Sequence, residues 1–183
     1  MQENPKSTMA GIVIIGPRSV GKSTIGRVLA KKLNCPYYDS DELVEQQMGD
    51  WNAFAKKHGS NAVRREERTI IRKLISTLPD KFVISVGGGT IASQFEKESE
   101  ANVVDLKKKA TIVYLAASDS LQKSLDLLEK RELQRKGDQD RKEIEKLYKL
   151  RTPIYEKVCD IKIVVEEKSL EKVVADIQTA LRL

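Results

Sequence analysis

The stretch "GIVIIGPRSVGKST", residues 11–24, decides how the rest of the chain is read. Ile12, Val13, Ile14 and Ile15 form a β-branched run too short for a helix, so it reads as a buried strand. After Lys22 the pattern becomes amphipathic, with Ile25, Val28, Leu29 and Leu33 three or four residues apart or adjacent, as on one helix face. Between the two, Gly16, Gly21, Lys22 and Ser23 fill the fixed places of G-x-x-x-x-G-K-[ST], with Arg18, Ser19 and Val20 inside the loop and Thr24 after it. Glycines let such a loop curl until its N–H groups point inward at a β-phosphate, and the helix that follows adds the partial positive charge of its N-terminus. The unit therefore predicts a nucleoside triphosphate site in which Lys22 spans the β- and γ-phosphates and the Ser23 hydroxyl serves as a ligand for Mg²⁺.

Outward from that unit, "YYD" (37–39), "FVISV" (82–86), "TIVYL" (111–115) and "IKIVV" (161–165) read as four more strands. Residues 60–77 and 169–181 repeat the helical spacing, at Val63, Ile70, Ile71, Leu74 and Ile75 and at Leu170, Val173, Val174, Ile177 and Leu181. Strand and helix alternate to the end, which predicts an α/β fold: a parallel sheet with helices on both faces. The 183 residues suit one domain, over about 10–183, behind a disordered tail at 1–9. The segment "RELQRKGDQDRK" (131–142), polar and interrupted by Gly137, reads as a mobile exposed loop.

Composition narrows the function. The chain is 40% hydrophobic and 33% charged, and it has no apolar run near the ~20 residues that a spanning helix needs. Its start, "MQENPKSTMA", lacks the charged and apolar regions of a secretory leader, so a cytosolic protein away from membranes is expected. Cys35 and Cys159 have no metal-ligand spacing and read as reduced packing residues, and His58 beside Gly59 reads as a helix-end residue. The net charge of +6 is dispersed over helix faces without interleaved aromatics, which argues for small anionic ligands and against nucleic acid.

A phosphate loop needs a second acid on the metal side, usually at the end of an apolar strand. "FVISV" ends in "GGG" (87–89) instead, and "YYDSD" is the strand end that supplies acids, Asp39 and Asp41. Two readings stay open for this pair: one acid faces the metal and the other an acceptor hydroxyl, or both merely cap the next helix. Arg64, one helical turn before Glu67, and Arg151, before Pro153, are of the residue type that binds carboxylates in bidentate fashion. Glycines at 87–89 would let a ligand approach the backbone at the strand's carboxyl end.

Together "GPRSVGKST", "DSD" (39–41), "VRREE" (63–67), "GGG" (87–89) and "RTPIY" (151–155) resemble, in order and over about residues 10–183, the shikimate kinases. The resemblance implies a three-layer kinase fold with strand order 2-3-1-4-5, a substrate-binding region at about 39–68 and a lid at about 131–142. It implies ATP and shikimate as the ligands of a monomer, with Asp39 near magnesium and Asp41 on the acceptor hydroxyl. Arg64 and Arg151 would clamp the shikimate carboxylate, Glu67 would orient Arg64, and Gly87, Gly88 and Gly89 would line the same pocket. The family's lid arginine lies in R-P-L-L, for which "RELQ" (131–134) stands in, so Arg131 becomes the γ-phosphate ligand, with Arg135 and Arg141 as rivals. Val63 replaces an aromatic and "GSNA" replaces G-E in the substrate region, which keeps open a gluconate-like or cyclitol-like acceptor. An inactive nucleotide-binding module is the remaining alternative. Adenine is expected near Glu167 to Ser169, after the last strand.

Overall fold

The computed structural model describes residues 11–92, 96–135 and 139–183. Five strands form one parallel sheet: β1 (Gly11–Ile15), β2 (Tyr37–Asp39), β3 (Val83–Ser85), β4 (Ala110–Ala116) and β5 (Ile161–Val164). Their order is β2-β3-β1-β4-β5, as the resemblance implied. Register places Val13 beside Ile84 on one side and Ile112 on the other, and Asp39 beside Ser85 at the sheet edge. Phe82 and Val86 fall just outside β3, while Ala110 and Ala116 extend β4.

Alternation along β1 builds two cores. Ile12 and Ile14 point to the face covered by α1 (Lys22–Leu33) and α9 (Leu170–Ala180), where they meet Leu29, Val174 and Ile177. Val13 and Ile15 point to the opposite face, against Ile71 and Ile75 of α4 (Ser60–Thr77) and Leu106 of α6 (Glu96–Lys107). All four β1 side chains are at most 2% exposed. Each burial of this size stabilises the fold by ~1.5–3 kcal/mol, so the strand that carries the phosphate loop is among the most firmly held.

The second strand leads into α2 (Ser40–Met48) and α3 (Trp51–His58), which precede α4. His58 ends α3, as its place beside Gly59 indicated, and both cysteines are free. A one-turn helix, α5 (Gly88–Ile91), follows β3 directly. Residues 131–142 correct the sequence reading. Helix α7 (Leu121–Gln134) runs through Arg131, and α8 (Arg141–Val158) starts at Arg141, so much of the expected loop is helical. The physical reason lies on α7's inner face. Leu125 and Leu128 are buried there, and the next inward position is filled by a buried carboxylate, Glu132, where an apolar pattern would have marked continuation. Gly137 and the tail at 1–9 lie outside the described residues. Among those residues no helix is long and apolar enough to cross a membrane.

Candidate active site

The carboxyl ends of β1, β2 and β3 open into a cleft of about 1350 Å³, room enough for a nucleotide and a second small molecule. Its floor is the loop from Gly16 to Gly21. Gly21 caps α1 with φ 106° and ψ 18°, a left-handed conformation that disfavours any residue with a β-carbon. Lys22 Nζ donates to the Gly16 and Pro17 carbonyls, each at 3.1 Å, and so folds over the loop it serves. Loss of bulk water lowers the Lys22 pKa, and nearby Asp41 and Asp39 push it back up.

Asp39 does more than either sequence reading assigned to it. Its Oδ2 accepts from the Ser23 hydroxyl at 2.7 Å and from Tyr37 at 2.9 Å, while its Oδ1 accepts the Asp41 N–H at 3.1 Å and caps α2. One carboxylate is both helix cap and phosphate-loop partner. Asp39 and Ser23 present hard oxygen donors beside the phosphate loop, a set that fits Mg²⁺, which takes one or two protein oxygens and completes its shell with phosphates and water.

Asp41 takes no part in capping through its side chain. Its side chain is exposed to the cleft, and the cleft walls displace enough water to raise its carboxyl pKa, a shift that Lys22 counteracts and Asp39 reinforces. A carboxylate that holds protons more tightly than usual suits a proton acceptor. Ser40, fully buried between the two acids, accepts the Gly87 N–H at 2.9 Å and ties α2 to the turn after β3.

That turn explains the three glycines. A β-carbon on Gly87 would stand 2.0 Å from Asp41 Oδ1; one on Gly88 would stand 2.7 Å from the Tyr155 hydroxyl and 2.8 Å from an Arg151 guanidinium nitrogen; one on Gly89 would stand 2.7 Å from Arg64. Consecutive residues thus seat the acid and both arginines against bare backbone. Arg64 is paired with Glu67, which is buried and whose carboxyl burial raises against the pull of that arginine. Burial also pushes the Tyr155 hydroxyl up to about 12, so it remains a neutral donor beside Arg151. Val63, by contrast, is fully buried and is not among the residues that line the cleft.

The opposite wall is the last turn of α7. Arg131 donates to the Val20 carbonyl at 2.7 Å, and withdrawal from water lowers its pKa without discharging a guanidinium. Arg135 also lines the cleft, 3.4 Å from the Ser19 hydroxyl. Arg141 does not compete for this place, because it pairs with Glu129 and Asp126. Sequence reasoning missed Ser40, Tyr155 as a wall of the acceptor side, and Glu132, which receives the Ser19 hydroxyl and the Arg18 guanidinium. All three lay inside quoted segments, but no pattern singled out Glu132, which the polar run at 131–142 made look like loop. At the far end Lys168 and Leu170 line the cleft, next to the Glu167–Ser169 turn where adenine was expected.

A triphosphate loop, an acid and two arginines across one cleft describe a small-molecule kinase that phosphorylates a hydroxyl group. A family profile described as "Shikimate kinase" matches residues 18–182. The shikimate kinase of Mannheimia succiniciproducens is 36% identical over 160 residues, 86% of this chain and 87% of that one. Among solved structures, shikimate kinase from Acinetobacter baumannii in complex with shikimate superposes with a TM-score of 0.77 at 26% identity, covering 96% of this chain and 94% of that one. The enzyme from Aquifex aeolicus gives 0.73 at 30% identity, with 94% and 96% covered. The chain belongs to the shikimate kinase family.

Proposed function

We propose that this protein transfers the γ-phosphoryl group of ATP to the 3-hydroxyl of shikimate. The observation that carries the assignment is the placement of Asp41, Arg151 and Arg64 on Gly87, Gly88 and Gly89: an acid for a hydroxyl and two cations for a carboxylate, on one rigid turn. Arg64 and Arg151 bind the acceptor's carboxylate, and Glu67 holds Arg64 in the required rotamer. Their grip fixes the ring so that one hydroxyl faces Asp41, which replaces a bimolecular encounter with an oriented one.

On the nucleotide side Gly16, Arg18, Ser19, Val20, Gly21 and Thr24 surround the phosphates. Lys22 leaves the loop carbonyls for the β- and γ-phosphates as ATP enters. Ser23 and Asp39 would hold Mg²⁺, which would supply charge neutralisation to the triphosphate. Asp41 accepts the hydroxyl proton as the new P–O bond forms and the bond to the β-phosphate oxygen breaks, releasing ADP. Lys22 and Arg131 stabilise the charge on the transferred group. The protein acts as a cytosolic monomer, which size-exclusion chromatography with light scattering would check.

The test is ADP release by purified protein with MgATP and a panel of shikimate, gluconate and a cyclitol. Shikimate should be turned over fastest. Faster turnover of another acceptor would reassign the substrate, and no turnover of any would leave a nucleotide-binding module.

A further inference from the structure

Helix α7 meets the phosphate loop with two consecutive residues of its last turn. Arg131 donates to the Val20 carbonyl at 2.7 Å. Glu132, only 1% exposed, accepts from the Ser19 hydroxyl and pairs with Arg18 at 3.0 Å, with Arg135 at 4.0 Å. Ser19 adopts φ 64°, a left-handed conformation that is costly for a residue with a β-carbon and persists only where its surroundings hold it.

Packing does not account for this carboxylate. The preceding inward positions of α7 are Leu125 and Leu128, and an apolar residue would continue that face without desolvating a charge. A buried anion a few ångströms from a loop that must receive a triphosphate is also unfavourable for ligand binding unless it has a task. Successive helical residues point about 100° apart, so two contacts to one loop fix both the distance of α7 and its rotation about its axis.

We propose that Glu132 is a positioning residue for phosphoryl transfer. Through Ser19 and Arg18 it latches the end of α7 to the phosphate loop and so sets where the Arg131 guanidinium stands relative to Lys22. The proposal rests on reading Arg131 as the γ-phosphate ligand. Because that contact matters most in the transition state, loss of the latch should lower kcat while the acceptor's KM stays nearly constant.

The test is steady-state kinetics on full-length Arg131→Ala, Glu132→Ala, Glu132→Gln and the Arg131→Ala/Glu132→Ala double variant. Arg131→Ala should lose about 10²-fold in kcat, the scale for deleting one preorganised donor. Glu132→Ala should lose at least about 10-fold with the shikimate KM within about twofold, and Glu132→Gln, which still accepts from Ser19, should recover part of it. In the Arg131→Ala background, Glu132→Ala should cause no further loss, since a residue that acts only through Arg131 has nothing left to position. Additive losses, or a Glu132→Ala enzyme as fast as wild type, would overturn the latch while leaving the Arg131 assignment intact. A wild-type kcat for Arg131→Ala would overturn that assignment and the latch with it. Should Glu132→Ala not fold, Glu132→Gln and Ser19→Ala carry the same comparison from the two sides of the hydrogen bond.

Discussion

Replacing Gly87 with alanine isolates one methyl group against one carboxylate. Gly87 has φ −59° and ψ 144°, a conformation open to any L residue, so the substitution meets no backbone strain. Its new β-carbon would lie 2.0 Å from Asp41 Oδ1, about 1.4 Å short of the 3.4 Å at which ordinary contact begins. Asp41 can rotate its side chain into the cleft, so the methyl displaces the acid without breaking the core. Misplacing a catalytic group by ~1 Å costs about 10²-fold in rate, which sets the expected fall in kcat. Stability should change by no more than about 1 kcal/mol, a shift of ~2–4 °C in Tm for a chain of this size. Gly89→Ala is the internal control. Its β-carbon would meet Arg64 at 2.7 and 2.9 Å, so the same methyl two residues along should raise the shikimate KM more than it lowers kcat. ADP release at saturating ATP, titrated with shikimate, separates the two constants, and a melting curve confirms folding. If folded Gly87→Ala turned over within about threefold of wild type, a barrier change below 1 kcal/mol, the claim that Asp41 must stand at this place would be refuted.

Three further outcomes follow from the same geometry. Partial desolvation by the cleft walls raises the pKa of the exposed Asp41 above 3.8, so the folded state binds that proton more tightly than the unfolded chain. The associated stability is complete below 3.8 and lost as pH rises through the folded value. Asp41→Asn should therefore abolish turnover yet melt above wild type at pH 7, with the gap closing below pH 3.8; a lower Tm at pH 7 would contradict the sign. Asp39→Asn keeps a residue able to cap α2, so it should mainly raise the Mg²⁺ concentration for half-maximal activity. An unchanged Mg²⁺ midpoint would show that the two acids were given the wrong tasks. Arg64→Lys loses the bidentate fork and its pairing with Glu67, and the shikimate KM should rise about 10- to 100-fold, the scale of a charge-assisted hydrogen bond. A KM within twofold would remove Arg64 from the acceptor clamp.

Local order carried much of the fold. The β-branched run of β1 and the helical spacing of α1 stand in the sequence because burial on a strand or a helix face imposes its own period. The loop between them was legible because curling around phosphate demands glycines at fixed intervals. Where side-chain identity and period disagree, the sequence reading failed. Residues 131–134 looked like loop because their inward position is Glu132, and polarity alone cannot distinguish solvent from a buried hydrogen-bonding partner 113 residues away, the Ser19 hydroxyl.

By itself, then, the sequence determined a parallel α/β sheet, a phosphate loop at the end of its first strand and a set of acids and arginines suited to a hydroxylated acid. Only the tertiary structure decided how those residues are divided. At Asp39 the cap reading does not exclude a task in the phosphate loop, because one oxygen caps α2 while the other accepts from the Ser23 hydroxyl. Arg141 left the cleft for Glu129 and Asp126, while Arg131 stayed. The glycines at 87–89, read from sequence as room for a ligand, also make room for Asp41, Arg151 and Arg64, and Gly88 and Gly89 line the cleft as well. Contacts between residues distant in the chain depend on where whole elements pack, and no local pattern encodes that distance.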